Sequence, residues 1–163
     1  MKFLYLGVGC AMMLAGAMGA ARGETMSPAV GKPLLAAEHM LAAHKYTAAL
    51  ADVAQADAAP GKTPAESLAI DQLRASIDAA RGDHAAAAVD YAALVNSGLL
   101  SGAQVQQMAE AEASTQYQAG NYAGAIATIK THLADDARFH PVLLQSYYQM
   151  GNCTALEGAM NPA

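Results

Sequence analysis

The sequence predicts an all-α fold of stacked antiparallel helix pairs, about four of them, over most of its 163 residues. Three observations carry that expectation. Alanine, the strongest helix former, dominates, while aromatic residues make up only 6% and β-branched residues are too sparse for a sheet. Glycine and proline occur as punctuation rather than in runs. A short turn motif recurs along the chain, and the apolar residues between its copies fall at helical spacing.

The recurring motif reads HKYTAAL at 44–50, GDHAAAAV at 82–89, GNYAGAI at 120–126 and GNCTALEG at 151–158. Tyr46, His84, Tyr122 and Cys153 take equivalent places, at intervals of 38, 38 and 31 residues. Periods in this range mark helical units that cannot bury their apolar faces alone and must stack. After each turn the spacing i, i+3, i+4, i+7 gives one apolar helix face. Tyr122, Ala125, Ile126, Ile129 and Leu133 show it most fully. Tyr46, Ala49, Leu50 and Val53 repeat it, as do His84, Ala87, Ala88, Tyr91 and Val95. In the last unit Leu156 falls at i+3 but Glu157 at i+4, so the stripe slips.

The first helix of each pair is read from its ends. The earliest is read near 33–43, and 46–58 follows it. Thr63-Pro64-Ala65-Glu66 predicts the start of 64–81: a capping hydroxyl, proline at the first position and a glutamate that can bond back. Ile70, Leu73 and Ile77 give that helix its apolar face, and 83–96 pairs with it. Ser101 and Gln104 form a second such box before 103–118, which pairs with 121–134. Pro141 opens 141–150, with Leu144, Tyr147 and Tyr148 along it, and 152–160 closes the array. Gly82, Gly120 and Gly151 end first helices where a left-handed residue is required.

The chain start has a different character. Lys2 precedes an uncharged apolar stretch that ends among small residues, the order of a secretory signal. Residues 1–21 are expected to be removed, with cleavage after Ala21 or as late as Gly23, leaving 22–32 as a linker to a repeat domain at 33–163. If uncleaved, the stretch is long enough to anchor the chain in a membrane. Loss of Lys2 leaves 8 basic and 14 acidic residues, a charge of −6 with no basic cluster, which argues against nucleic acid as a partner. Cys153 then has no second cysteine with which to form an internal disulfide.

Other motifs reduce to structure. AAPGKTP at 58–64 ends like a phosphate loop, but Ala56 stands where the opening glycine should be, and the residues before it have helical spacing. It reads as an interhelical turn. His39 and His44 are five apart and lie on different helix faces. His132 and His140 flank a turn holding Asp135 and Asp136, read as solvated rather than metal-binding. Asn152-Cys153-Thr154 fits the glycosylation pattern by chance in a chain of bacterial character. No cofactor or metal is expected.

The segment YQAGNYAGAI resembles the turn of a tetratricopeptide repeat, with Gly120, Tyr122 and Ala125 at the family's glycine, aromatic and alanine positions. The resemblance covers about 33–160 and departs from the pattern at His44, His84 and Cys153, and in lacking the family's tryptophan and closing proline. The stretch VGKPLLAAEHMLAAHKYTAAL is also similar to exported bacterial proteins with such repeats. The resemblance implies a concave groove lined by first helices: Glu38, then Gln72 and Ser76, then Gln107, Glu110, Ser114, Tyr117 and Gln118, then Gln145, Tyr148 and Gln149. Amides can bond a peptide backbone, and tyrosine offers a flat face with a polar tip. The expected function is a non-enzymatic, periplasmic or secreted scaffold that binds a protein or peptide in that groove. A cell-wall hydrolase is the alternative, although no acid/base pair or activated nucleophile is recognisable. A self-associating or shortened repeat protein is another, because no capping helix is readable after the last pair.

Overall fold

A computed structural model describes residues 26–160. Among these residues eight α-helices follow one another: α1 (Pro28–Ala42), α2 (Tyr46–Asp57), α3 (Pro64–Ala80), α4 (His84–Val95), α5 (Gly102–Gln118), α6 (Tyr122–His132), α7 (His140–Gln149) and α8 (Cys153–Met160). A single 3₁₀ turn, Ala137–Phe139, leads into α7. Consecutive helices pack as antiparallel pairs, α1 with α2 through α7 with α8, and the pairs stack in chain order. No strand occurs among the described residues. The expected secretory segment lies outside them.

The repeat is written into the backbone at the turn within each pair. Gly82, Gly120 and Gly151 take positive φ (86°, 77° and 65°), and His44 does so at 56°. Each is followed by the same closure, in which the next N–H reaches back to a carbonyl five residues before it. These bonds are Lys45 to Met40 (2.8 Å), Asp83 to Asp78 (2.9 Å), Asn121 to Gln116 (2.8 Å) and Asn152 to Tyr147 (3.0 Å). That pattern satisfies carbonyls that the helix end would otherwise orphan. In three turns the following side chain also caps the next helix: Asp83 accepts from the Ala86 N–H, Asn121 from Gly124 and Asn152 from Ala155. Lys45 stands in the same place and offers no acceptor.

Two sequence expectations change. Helix α1 begins at Pro28, inside the stretch expected to be a linker, because Pro28 serves as the opening proline and Pro33 sits in the helix interior. Val30, Pro33, Leu34, Ala37 and Leu41 are its buried face, the i, i+3, i+4, i+7, i+11 stripe of α6 moved back by three residues from the expected start. On α7 the core face is Val142, Leu143 and Ser146 rather than Leu144, Tyr147 and Tyr148. Ser146 is tolerated there because its hydroxyl donates to the Val142 carbonyl at 2.7 Å.

Three connected clusters form the core. Val30, Leu34, Leu41, Val53, Ile70 and Ile77 join α1, α2 and α3. Ala75, Ala87, Tyr91 and Leu94 join α3 to α4, with Met108 and Ala111 of α5 against them. Val95, Ala113, Ile129, Leu133 and Phe139 continue the core to α7, with Val142 and Leu143 beside them. Helix α3 is the axle, its Ile face turned to α1 and α2 and its alanine face to α4. Truncating Ile70 or Ile77, both fully buried, to alanine is expected to cost about 2–5 kcal/mol. Packing thins toward α8, which buries no residue.

Candidate partner-binding face

The groove residues implied by the repeat resemblance divide into two kinds. Glu38, Gln107, Gln118, Gln145, Tyr148 and Gln149 are exposed, while Gln72, Ser76, Glu110, Ser114 and Tyr117 are partly covered. The covered ones have local employment. Ser76 donates to the Gln72 carbonyl at 2.9 Å and lies 3.4 Å from the Tyr91 hydroxyl. Ser114 donates to the Glu110 carbonyl at 2.8 Å. The Glu110 carboxylate accepts from Arg138 Nη2 at 2.5 Å, and Arg138 also binds Asp136 at 2.6 Å. Hydrogen bonds from Arg138 hold the Asp136 carboxyl below its ordinary value, and the two carboxylates push the guanidinium up. Tyr117 packs edge-to-face on Tyr122, with ring centroids 5.5 Å apart.

Gln107, Glu110, Ser114, Tyr117 and Gln118 therefore form a single stripe along α5. Gln145, Tyr148 and Gln149 form an exposed amide–aromatic patch on α7, where Tyr148 is 67% exposed. Two open hollows, of about 380 and 510 Å³, flank the connection from α6 to α7. Neither is lined by a groove residue. Leu133, Asp135, Asp136 and Ala137 line both, and His140 and Arg138 line one each. His140 Nε2 is 3.0 Å from the Ala159 carbonyl, facing α8. Among the described residues no three His, Cys, Asp or Glu side chains are placed to hold a metal ion. Nor is any helix among them long and apolar enough to cross a membrane. The AAPGKTP lysine folds back instead of facing solvent, its Lys62 ammonium donating to the carbonyls of Asp57 and Ala59 at the end of α2.

A buried polar seam went unread in the sequence. Between α5 and α6, Glu112, Gln116 and Thr128 are all buried. Gln116 Nε2 donates to Glu112 Oε1 at 2.7 Å, and the Thr128 hydroxyl lies 3.0 Å from both Glu112 Oε1 and Gln116 Oε1. These residues stand eight before, four before and eight after the turn glycine, Gly120. The same three places around Gly82 hold Arg74, Asp78 and Asp90. Asp78 is buried and paired with Arg81 at 2.7 Å. Arg74 binds Asp71 at 2.8 Å and Asp57 at 2.9 Å. Burial pushes the Asp90 carboxyl above its ordinary value; Arg74 opposes this, and Asp78 and Asp71 add to it. Counting from the turn would have found the seam, since the outer pairs have Ala36 and Met40, or Leu143 and Tyr147, at the same two first-helix places.

Comparison with protein-family models, with curated proteins and with solved structures gives no match. What stands is an all-α stack of helix pairs, a helical-repeat architecture.

Proposed function

We propose that the chain is a non-enzymatic scaffold of tetratricopeptide type, exported to a bacterial cell envelope, that holds a segment of a protein partner along α5 and α7. One observation carries this reading. The exposed Tyr148 lies between exposed Gln145 and Gln149 on a first helix, where successive pairs of a repeat stack present side chains to a common partner. Amides at this spacing can pair with an extended backbone, while a tyrosine supplies apolar area with little side-chain entropy to lose. The α5 stripe extends the same chemistry through Gln107, Gln118 and the Tyr117–Tyr122 pair. The absence of a recognisable nucleophile or acid/base pair in the sequence favours binding over turnover.

The test is a crosslinked pull-down from envelopes with the wild-type chain beside the Tyr117→Ala, Tyr148→Ala variant. A partner held by the first and lost by the second supports the reading. The same partners with both would remove these faces from consideration.

A further inference from the structure

The two ends of the stack carry faces that match each other. At each junction between pairs, the residue nine places after one turn shares a core cluster with the residue nine places before the next. Val53 and Leu73 belong to one core cluster, Tyr91 and Ala111 to a second, and Ile129 and Val142 to a third. Val53, Leu73, Tyr91 and Ile129 are only 1–8% exposed. On α8 the equivalent residue is Met160, 60% exposed; on α1 it is Leu35, 56% exposed. Among the described residues α8 has no following first helix, and α1 has no preceding second helix.

We propose that α8 of one molecule docks on α1 of a second copy of this chain, seating Met160 against Leu35 and continuing the stack head to tail. Continuity with the internal junctions identifies the occupant. Helices α2, α4 and α6 each accept a first helix through this position, and α1 is a first helix with a large aliphatic residue at the matching place. Charge agrees with the register. Leu50 and Ile70 pack in one cluster across the α2–α3 junction. Their equivalents at the chain ends are Glu157 on α8 and Lys32 on α1, both exposed. A junction between copies sets opposite charges where the internal one sets apolar groups. Such a contact is heterologous and does not close on itself, so it makes chains rather than only dimers. With one apolar pair and one charge pair at its centre it is a weak contact.

The experiment uses the full chain, expressed with its own N-terminal segment and purified as the cell leaves it, in mild non-ionic detergent. Mass is followed by sedimentation velocity over roughly 10 μM to 1 mM, the range in which weak contacts populate. Wild type is expected to gain mass at least twofold across this range. Leu35→Glu blocks only the α1 end and Met160→Glu only the α8 end, so each variant alone is expected to stay monomeric, and the two blocked ends repel each other in a mixture. Mixed one to one, they retain one good end each and are expected to form a dimer that grows no further. Wild type that stays monomeric throughout overturns the proposal, as does a mixture that stays monomeric when wild type associates. Association that survives in one single variant also overturns it, because it places a two-fold contact at one end. Helicity by circular dichroism is checked for each variant. Leu35→Gln and Met160→Gln, which add no charge, replace any that unfold and carry the same expectations.

Discussion

The carboxylate of Glu66 accepts a hydrogen bond from the backbone N–H of Ser27 at 2.6 Å, tying the start of α1 to the start of α3 across 39 residues of chain. Its other oxygen accepts from the Thr63 N–H at 2.9 Å, while the Glu66 N–H donates to the Thr63 hydroxyl. One side chain thus satisfies the cap residues of two helices, a role that local reading of the Thr63–Glu66 box captures only in half. It also anchors the early start of α1 at Pro28: Ser27 makes no side-chain cap of its own, but its backbone N–H is held by Glu66 of α3.

This double acceptance has a pH consequence. Hydrogen bonds from the Ser27 side chain, the Thr63 backbone and the Ser27 backbone lower the Glu66 carboxyl from 4.5 to about 2, against the opposing effect of burial. A folded-state value below the unfolded one means that the contribution is complete above pH 4.5 and drains as pH falls toward 2. Glu66→Gln is therefore expected to melt lower than wild type at pH 7, with the gap closing between pH 4.5 and 2. Thermal melts of both proteins at stepped pH check this. A gap independent of pH would mean that the carboxylate is not what matters.

The first turn departs from its siblings at two adjacent residues, and both are correctable. His44 holds φ of 56° where the other turns have glycine, a conformation that costs a residue with a Cβ roughly 1 kcal/mol. Lys45 occupies the place where Asp83, Asn121 and Asn152 cap, and a missing cap costs about 1 kcal/mol. His44→Gly and Lys45→Asp are each expected to stabilise, by roughly 3–6 °C in melting temperature if 1 kcal/mol is recovered. The His44 ring does contact the Tyr46 hydroxyl at 3.0 Å, but this is an exposed pair of small weight. The converse is Gly120→Ala. A Cβ there meets nothing within 4 Å, so its expected cost of about 1 kcal/mol is conformational alone.

Asp90 provides a second pH test of opposite sign. Burial raises its carboxyl above 3.8, opposed by Arg74. A raised folded-state value means a contribution present below the unfolded value and lost as pH rises through the folded one. Asp90→Asn is expected to melt slightly higher than wild type at neutral pH, with the advantage gone below pH 3.8. Because Asp90 is partly exposed, solvent screening keeps the effect small.

The turns made the architecture legible. Glycine before a ring or small residue, then alanine, marks three of the four helix pairs, and the spacing to Tyr46 and Ala49 marks the first, because a positive φ and a tight second-helix contact have few sequence solutions. The early start of α1 was less legible because Ser27-Pro28-Ala29-Val30 lacks the glutamate or glutamine that completes the boxes beginning at Thr63 and Ser101. The groove residues were legible as positions but not as environments. Whether a serine faces a partner or its own helix is decided by a bond to the carbonyl four residues back, as at Ser76 and Ser114, which spacing does not encode. The seam stayed hidden for a related reason: glutamate, glutamine and threonine on a helix read as solvated until a neighbouring helix covers them.

That seam yields the most discriminating prediction. In an alanine-rich stack many helix faces are nearly interchangeable, and the inner pairs differ at the same three places: Arg74, Asp78 and Asp90 in one, Glu112, Gln116 and Thr128 in the other. Thr128→Val keeps the shape but removes the hydroxyl between Glu112 Oε1, which keeps its bond from Gln116, and Gln116 Oε1, which loses the donor beside it; a buried acceptor deprived of its partner costs about 1–3 kcal/mol. Replacing all three of Glu112, Gln116 and Thr128 by leucine, leucine and valine removes the desolvated groups altogether, and is expected to restore or exceed wild-type stability in urea. If the seam sets which helix pairs with which, that triple variant gains stability but loses uniqueness, showing doubled amide resonances or a swapped dimer. If it serves stability alone, the triple variant gives one sharp spectrum. The contrast between the single and the triple variant separates a polar group kept for pairing from one kept for energy.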